Sequence, residues 1–552
     1  MERAGTLERG LAVLRVLTAE PERRLRATDV VRATGLARSV VDRVLATLVH
    51  LGYARTADRD VLPAPRLTEL GEAYLACSGL RDTLGPIAAR LAAELDESVF
   101  LAVRDGDGAR FVAGHARRGA VSVTFRPGDL VPARRCAAGL ALLDPSAPYA
   151  LDDQLAEPGL TAVALPVRGP GGAPVCAVSV VSHTSRHSAP ELAAHTLPAL
   201  RATITTMEAA LTDAAEPAAT ETALTEPGEP AAAAETALTE AAESAPPGPV
   251  GGAVAADAER PGPVAGVGVV EAAPAGPVAA SDASRAAKEE LGAGYLRSLD
   301  RGLAVLVALG AARGGLTLAA AAKATGLPRA TARRAVQTLE ALGYAAPGDG
   351  GRFVLLPKVL ELGYAALSRR TLSEIATPHL AALVARVRES ASVAVLSGDD
   401  VRYVARVPTV RIMSVDITVG TRFPAYATSM GRVLLADLPE ERLAAIVPRS
   451  LTPRTVTGAA ELAAVVRRAA EDGYALVDQE LEEGVRSIAV PVRDRLGRTV
   501  AAVNVAAHAG RATPDDLRRD VLPALRETAA RIEADLAHLP WATAPDRLPD
   551  PS

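Results

Sequence analysis

The chain carries one stretch twice, and this repetition limits its possible folds more than any other feature. ATGLARSVVDRVLATLVHLGYA runs from Ala33 to Ala54, and ATGLPRATARRAVQTLEALGYA runs from Ala324 to Ala345, with twelve identities in 22 positions. Flanking segments match in the same order, from LERGLAVLRVL and LDRGLAVLVAL before the repeat to ALPVRGPGGAPVCAVSVVSH and AVPVRDRLGRTVAAVNVAAH after it. The sequence therefore predicts two related units of about 200 residues each, copy 1 and copy 2.

The two copies are separated by a segment that cannot form a packed core. Residues 213–292 consist mainly of Ala, Pro, Gly, Glu and Thr, and we interpret them as a disordered linker. The stretch from Asp213 to Asp282 contains twelve acidic residues and one basic residue, Arg260, so it carries a charge of −11. The whole chain carries −5, which leaves +6 for the rest. A mildly basic remainder is compatible with a nucleic-acid partner.

Several function classes are disfavoured by the residues. The three cysteines are an odd number without a CxxC pair, which argues against a disulfide framework and a structural zinc site. No charge-free apolar run is long enough to span a bilayer. GxSxG, P-loop and HExxH motifs are absent. We therefore expect a cytoplasmic, non-membrane protein that is not an enzyme and that needs neither metal nor cofactor.

Each repeated stretch has the pattern of a helix-turn-helix. Apolar or small residues recur at the spacing of a buried helical stripe, at Val41, Val44, Leu45 and Leu48 in copy 1 and at Ala332, Ala335, Val336 and Leu339 in copy 2. A shorter helix precedes each stripe, with Thr28 or Thr317 as its expected cap. It ends at Gly35 or Gly326, where a residue without Cβ permits a left-handed turn.

The polar face of each second helix is a candidate DNA-binding surface. The candidate residues are Arg38, Ser39 and Arg43 in copy 1 and Arg329, Arg333, Arg334 and Gln337 in copy 2. Such side chains can bind phosphates and base edges in a major groove. The alternative is that these arginines only solvate a surface. Two of them occupy matching outward positions in both copies without a packing reason, and this favours DNA binding.

A hairpin is predicted after each second helix. GDGG in copy 2 is a strong turn signal between extended residues, and YARTADRDVLPAP follows the same plan in copy 1. Such a hairpin corresponds to a wing. We expect Arg55, Arg59 and Arg352 on the wings to meet the DNA backbone. Asp42 aligns with Arg333, so the two heads are predicted to read different bases in an imperfect palindrome.

Together these features resemble the IclR family of bacterial transcription regulators. The resemblance rests on LxRGLxVL at the start of each copy, on TGL followed by LxxLGY, and on the downstream α/β segment. RIMSVDITVGTRFPAYATSMGRVLLADLP and GYALVDQELEEGVRSIAVPVRDRLGRTVAAVNV in copy 2 are similar to the PcaR/PcaU/PobR branch. That branch controls the breakdown of aromatic acids such as protocatechuate and 4-hydroxybenzoate through the β-ketoadipate pathway.

The resemblance implies an α/β multidomain fold in which each copy has a winged helix-turn-helix and a GAF-like effector-binding domain. We expect a winged helix-turn-helix at 1–75, a degenerate effector domain at 76–212, the linker at 213–292, a second winged helix-turn-helix at 293–367, an effector-binding domain at 368–540 and a tail at 541–552.

The family's effector pocket, carried over position by position, falls in copy 2. Its positions are Val415, Thr428, Ser429, Met430, Asp478, Ser487, Asn504 and Ala506. The segment TSMGRVLLA offers hydroxyls and backbone N–H groups for a carboxylate. Arg422 and Arg486 are expected to supply the counter-charge. The residues alone also permit an alternative. In it, DQELEEG is a solvated acidic loop, and Arg486 pairs with Glu482 or Glu483 on the surface.

Copy 1 departs from this pattern. Ala137, Ala138, Thr161, Ala162 and Ser179 stand where copy 2 has Ser429, Met430, Arg486, Ser487 and Asn504, and only Asp153 matches Asp478. Copy 2 has a helical-looking stretch that starts at Leu438, and copy 1 lacks it. Copy 1 is therefore 33 residues shorter in this region. We expect its effector domain to bind no acid well, or to bind something else, and to serve assembly.

The predicted function is a ligand-responsive transcriptional regulator of aromatic-acid catabolism. Its expected partners are double-stranded DNA, a small aromatic or dicarboxylic acid and further copies of itself in a homo-oligomer. Two alternatives stay open at this point. One is a tandem architectural DNA binder without a small-molecule response, and the other is a ligand-binding enzyme fused to a DNA-binding head.

Overall fold

The computed structural model describes residues 5–21, 23–57, 59–117, 125–222, 294–368, 370–409 and 417–539. Residues 223–292 of the predicted linker, the predicted tail and Val415 lie outside the described residues. The first ten residues of the predicted linker, 213–222, continue a helix that runs from Ala189 to Thr222. Its final part is rich in Ala and Glu, which are strong helix formers.

The head of copy 1 consists of three helices and a two-stranded wing. These elements are α1 (Thr6–Ala19), α2 (Ala27–Thr34), α3 (Arg38–His50), β1 (Ala54–Ala57) and β2 (Asp60–Pro63). Helix α3 buries the predicted stripe. Gly35 ends α2 with φ 67°, the left-handed turn that the sequence predicted. The wing strands pair antiparallel.

The effector domain of copy 1 is an antiparallel six-stranded sheet covered on both faces. Its elements are α4 (Thr68–Ser78), α5 (Leu80–Leu95), β3 (Ser98–Asp105), β4 (Gly108–His115), β5 (Leu130–Pro132), α6 (Ala137–Leu143), β6 (Ala150–Asp153), β7 (Leu160–Arg168), β8 (Pro174–His183) and α7 (Ala189–Thr222). The strand order is β5-β4-β3-β8-β7-β6. Helices α5 and α7 pack on one face and α6 on the other, so the strands are apolar nearly throughout.

The head of copy 2 repeats the first with one additional short strand. Its elements are α8 (Arg297–Leu309), β9 (Leu316–Thr317), α9 (Leu318–Thr325), α10 (Arg329–Ala341), β10 (Ala345–Pro347) and β11 (Arg352–Leu355). Helix α10 buries its predicted stripe. The hairpin predicted at GDGG joins β10 and β11, and Gly350 and Gly351 there have φ of 62° and 70°.

The two heads differ from the expected capping in one place. Thr317 caps α9 as predicted, accepting from the backbone N–H of Ala320 at 3.2 Å. Thr28 lies inside α2 instead of before it, and Asp29 accepts from the backbone N–H of Arg26 at 2.9 Å. The predicted Thr28 cap is therefore wrong. Because α2 begins at Ala27, Thr28 lies within its first turn, and the Asp29 carboxylate makes the capping hydrogen bond instead.

The effector domain of copy 2 has the same sheet with a larger helical cover. Its elements are α11 (Tyr364–Leu367), α12 (Leu372–Val387), β12 (Ser390–Ser397), β13 (Asp400–Val407), β14 (Arg422–Pro424), α13 (Ser429–Leu435), α14 (Glu440–Ala444), α15 (Ala459–Asp472), β15 (Ala475–Asp478), β16 (Val485–Arg493), β17 (Thr499–His508), α16 (Pro514–Asp516) and α17 (Leu522–Ala537). The strand order is β14-β13-β12-β17-β16-β15. Helices α12 and α17 cover one face, while α13 and α15 cover the other. Helices α14 and α15 form the stretch that copy 1 lacks.

The two heads pack directly against each other through reciprocal contacts of α1 and α8. A Cβ added to Gly10 would lie 2.3 Å from Leu299 Cδ1, and one added to Gly302 would lie 2.5 Å from Leu7 Cδ1. Each leucine therefore fills the space that the other helix's glycine leaves free. Since these positions correspond between the copies, the contact is self-complementary and relates the heads by an approximate two-fold axis.

Further contacts extend this pairing. The Thr18 hydroxyl donates to the Glu361 carbonyl at 3.2 Å, and the Tyr364 hydroxyl donates to Glu72 Oε1 at 2.8 Å. The backbone N–H of Leu296 donates to Thr47 Oγ1 at 3.0 Å. Buried apolar residues of both heads belong to one continuous core. The chain thus contains a pair of heads within itself.

Candidate nucleic-acid interface and effector pocket

The second helices of the two heads present the predicted polar residues to solvent. All seven are exposed, namely Arg38, Ser39 and Arg43 on α3 and Arg329, Arg333, Arg334 and Gln337 on α10. Their exposure follows from the buried stripes behind them, because only one side of each helix meets the core. Contact of these side chains with DNA stays a prediction.

The charges on the two helices are distributed differently. In copy 1, Arg38 Nε bonds both carboxylate oxygens of Asp42, at 2.9 and 3.0 Å. At the position of Asp42 copy 2 has Arg333, which lies exposed beside Arg329 and Arg334. The exposed face of α10 is therefore more positive than that of α3.

Replacing Asp42 with Arg should tighten binding to duplex DNA. The change adds one cation and releases Arg38, so the slope of log K against log[salt] should steepen by about 1 to 2 units. Asp42→Ala, which only releases Arg38, should give about half that effect. The Arg38–Asp42 pair is half exposed and stabilises the fold little, so folding should be unchanged. Fluorescence anisotropy over a salt series measures the slope, and slopes equal to wild type would remove α3 from the interface.

The wing arginines are placed unequally. Arg59 is exposed near the tip of the copy 1 wing. Arg352 is half-buried at the start of β11, next to the GDGG turn of the copy 2 wing, and its Nη1 lies 3.5 Å from the Gly315 carbonyl. Arg55 is partly buried, and its Nη1 lies 3.7 Å from Asp535 Oδ2 of α17. Its contact with the DNA backbone stays a prediction, and such a contact would require the side chain to leave Asp535.

A narrow enclosed cavity lies between the sheet and α13 in copy 2. It is lined by Tyr403, Ile417, Phe423, Ala427, Thr428, Val477, Leu481, Glu482, Val485, Ser487, Asn504 and Ala506. Its volume of about 30 Å³ suits about one water molecule. Admitting an aromatic acid therefore requires the lining side chains to move apart. The rings of Tyr403 and Phe423 meet edge to face with centroids 5.8 Å apart and form an aromatic wall.

The structure brings four of the predicted pocket residues to this cavity, namely Thr428, Ser487, Asn504 and Ala506. Ser429 is fully buried just behind the lining, with its hydroxyl 2.8 Å from that of Ser487. Met430 of α13 is buried in the apolar core and is not among the residues that line this cavity. Asn504 is 4% exposed, and its Oδ1 has no hydrogen-bond partner within the described ranges. A buried carbonyl oxygen without a donor marks a place for a ligand hydroxyl or amide.

Asp478 and Arg486 are not among the residues that line this cavity, and their role in holding the effector stays a prediction. They are cross-strand partners on β15 and β16, and Arg486 Nε donates to Asp478 Oδ1 at 2.8 Å. Hydrogen bonding to Arg486 lowers the pKa of Asp478. Adjacent strand residues project to opposite faces, so their neighbours Val477 and Ser487 reach the cavity and this pair does not. Arg422 binds Asp400 and the Ser397 carbonyl instead.

Sequence reasoning missed most of the apolar lining, above all Tyr403, Phe423 and Val485. One signal was available for Val485, which is two residues before Ser487 on a strand and so shares its face. Tyr403 and Phe423 lie on strands at the far side of the sheet, and nothing local in the sequence connects them with Ser487.

The described part of the chain shows neither a metal-binding cluster nor a membrane-spanning helix. It contains no group of three His, Cys, Asp or Glu side chains placed to hold a metal ion. Among the same residues, no helix combines the length and apolar character needed to cross a membrane.

Family models match both copies. One described as the IclR helix-turn-helix domain matches residues 6–58 and 298–347. One described as the C-terminal part of the bacterial transcriptional regulator IclR matches residues 364–534. The matched ranges contain α3, α10 and the cavity of copy 2.

Curated relatives match less than half of this chain but most of their own length. The Pca regulon regulatory protein of Pseudomonas putida is 44% identical over 236 residues, which is 42% of this chain and 81% of the relative. The Pca operon regulatory protein of Acinetobacter baylyi is 34% identical, covering 43% and 88%. The p-hydroxybenzoate hydroxylase transcriptional activator of that organism is 35% identical, covering 43% and 91%.

Solved structures match over similar lengths. A transcriptional regulator from Rhodococcus sp. RHA1 is 51% identical with a TM-score of 0.40, covering 44% of this chain and 98% of its own. The inducer-binding domain of a PobR double mutant from Acinetobacter, in complex with 3-hydroxybenzoic acid, is 32% identical with a TM-score of 0.28, covering 30% of this chain and 98% of its own.

Proposed function

Because the chain belongs to the IclR family of bacterial transcriptional regulators, we propose that one chain presents both heads to double-stranded DNA and that a small acid bound by copy 2 regulates this binding. The observation that carries the proposal is the exposure of arginine-bearing helices on two heads that share one core. A shared core holds α3 and α10 at a set spacing. A set spacing is what two neighbouring major-groove segments require.

The two half-sites of the operator differ. The exposed faces of the helices carry Ser39 and Asp42 in copy 1 against Ala330 and Arg333 in copy 2, and arginine favours guanine where aspartate does not. An operator for one chain is therefore an imperfect palindrome with a fixed polarity. The predicted homo-oligomer would join chains through surfaces other than α1 and α8, since these are already used within the chain.

Mass photometry and footprinting of the full chain on its own promoter test this arrangement. We expect one chain to protect two adjacent half-sites of unequal sequence. A footprint with perfect two-fold symmetry, protected by two chains through identical heads, would contradict it. A chain that ignores duplex DNA at low salt would reject DNA binding altogether.

The effector is an aromatic or dicarboxylic acid, and the regulated genes serve aromatic-acid catabolism. Two relatives are named for the Pca genes and one for p-hydroxybenzoate hydroxylase. The cavity supports this assignment, since the aromatic wall suits a ring and Thr428, Ser487 and Asn504 offer hydrogen bonds. Calorimetry with protocatechuate, 4-hydroxybenzoate and β-ketoadipate tests it. Absence of heat with all three would reject this effector class and leave DNA binding untouched.

The two other classes make different predictions. An architectural DNA binder would show the same DNA affinity with and without acid. An enzyme would convert its ligand. Apart from Glu482, the polar side chains among the described lining residues are neutral hydroxyls and one amide. The Ser487 hydroxyl is hydrogen-bonded to that of Ser429. This lining suits recognition better than nucleophilic catalysis, which needs an adjacent base. Unchanged ligand after prolonged incubation would agree with a regulator.

A further inference from the structure

We propose that each chain binds a single carboxylate effector, in copy 2, and that a cross-strand pair decides this: Ser392 leaves space for the ligand and Arg406 supplies its counter-charge. The inference rests on the proposed effector response. It assigns a charged residue, Arg406, on the face of the sheet that bears the cavity, and it sets the number of ligands per chain.

Arg406 projects from the cavity side of the sheet. Ser392 of β12 lies directly opposite Arg406 on one neighbouring strand and directly opposite Asn504 on the other. Side chains directly opposite each other on antiparallel strands share a face, and Asn504 lines the cavity. The same pairing therefore places Ser392 and Arg406 on the face that bears the cavity.

A bulge makes this placement possible. The register between β12 and β13 shifts at Val393 and Ala394. An unbroken register from the pair Ala394 and Tyr403 would put Arg406 opposite Ala391, which is buried in the core on the other face. The extra residue in β13 reverses the face to which the side chains after it project, as is common at β-bulges. Burial raises the pKa of Tyr403 to about 12, and the charge of Arg406 opposes that rise, so the guanidinium lies near this cavity wall.

The cavity then offers complementary groups for a hydroxylated acid. Asn504 Oδ1, buried and without a described partner, can accept from a ligand hydroxyl. Arg406 can pair with the carboxylate, for which the planar guanidinium is well suited. Asn504 and Arg406 flank Ser392 on its two sides, and Ser392 is small enough to leave the space between them open.

Copy 1 has lost both features together. At the matching cross-strand positions it has Phe100 opposite Gly114. Phe100 is 1% exposed and packs edge to face on Phe111 and Phe125, with centroids 6.0 and 5.3 Å away. A Cβ on Gly114 would lie 2.1 Å from the Phe100 ring, so no arginine fits beside that ring. The exchange of Ser392 and Arg406 for Phe100 and Gly114 is thus a coupled change that fills the site.

The remaining positions of copy 1 also disfavour an acid. Asp152 stands where copy 2 has Val477 in the cavity lining. It is 1% exposed, and burial raises its pKa. A carboxylate ligand beside Asp152 would be repelled if Asp152 were ionised, and it would otherwise require Asp152 to stay protonated. Leu160, Ala162 and Val181, which match lining residues of copy 2, belong to a continuous apolar core.

Calorimetry of the full chain with protocatechuate and 4-hydroxybenzoate tests the inference. Wild type should bind one molecule per chain. Arg406→Gln should weaken binding of the acids about ten- to hundred-fold, because it removes a charge-assisted hydrogen bond. It should leave affinity for the neutral 4-hydroxybenzamide nearly unchanged, so the preference for acid over amide falls. Ser392→Phe, which transplants the copy 1 side chain, should abolish binding of both. Arg386→Gln on the solvent side of α12 is the matched control and should change nothing.

Each other outcome overturns the inference. Two molecules per wild-type chain, or binding that survives Ser392→Phe, would place a site in copy 1. An unchanged acid-to-amide preference in Arg406→Gln would remove Arg406 from carboxylate recognition. Thermal melting and DNA affinity of each variant report folding, and Arg406→Gln decides alone if Ser392→Phe is unfolded. No acid binding by wild type would reject the effector class itself, whereas failure of the variants alone would leave that class standing.

Discussion

Replacing Arg329, Arg333 and Arg334 with alanine together should lower the affinity of the full chain for duplex DNA by about two to three orders of magnitude at 0.1 M salt. Each neutralised phosphate contributes about 0.9 to the slope of log K against log[salt]. Loss of three contacts should therefore flatten the slope by nearly three units. All three side chains are exposed on α10, so the fold should be preserved. Anisotropy titrations between about 50 and 300 mM salt, roughly a sixfold range, measure both quantities.

The matched control removes the same charge from residues outside the two heads. Arg386, Arg519 and Arg531 are exposed on the effector domain of copy 2, at 62%, 66% and 60% of their side chains. Alanine at these three positions should leave the slope as in wild type. If both triple variants flatten it equally, net charge and not α10 governs DNA binding, and the assignment of the recognition helix is lost.

Replacing Gly10 and Gly302 with leucine should break the pairing of the heads. Each new side chain would enter space that Leu299 or Leu7 already fills, and overpacking of this kind costs about 1–3 kcal/mol per site. We expect a lower melting temperature of the heads. In wild type, an operator with two half-sites should bind more tightly than a single half-site. We expect this preference to shrink in the variant, because the spacing of α3 and α10 is no longer set.

A compensating variant separates lost pairing from simple loss of folding. Gly10→Leu combined with Leu299→Gly moves the large side chain from one helix to the other and keeps the contact volume. It should recover most of the melting temperature and of the preference for two half-sites. If Gly10→Leu alone already behaves as wild type in both measurements, α1 and α8 do not form the contact in solution.

The recognition helices were accessible to sequence reasoning because their signal is local. Val41, Val44, Leu45 and Leu48 occur at helical spacing within eight residues, and burying them leaves Arg38 and Arg43 outside. The wing of copy 2 follows for the same reason, since GDGG sits at the turn itself. The cap at Thr28 failed because α2 already begins at Ala27, which places Thr28 inside the helix, and Asp29 accepts from the backbone N–H of Arg26 instead.

The pocket was only partly accessible. The family resemblance selected Thr428, Ser487 and Asn504, which line the cavity. Arg486 was inferred as a counter-charge only from its place next to Ser487 in the sequence, and strand alternation sends its side chain to the other face. Attention to that alternation would have separated Arg486 from Ser487 in advance. Arg406 could not have been found this way, because a bulge inside β12 and β13 reverses its face.

The sequence by itself determined that the chain has two related units, which faces of α3 and α10 are polar, and which copy retains hydroxyl and amide groups for a ligand. These properties depend on residues near one another along the chain or on comparison of the two copies. Only the tertiary structure decided that the heads pair within one chain and that Arg406 lies on the face of the sheet that bears the cavity. Thr18 and Glu361, for example, bond across 343 residues of sequence, and a contact at that separation depends on how helices and strands pack, for which no local pattern carries a signal.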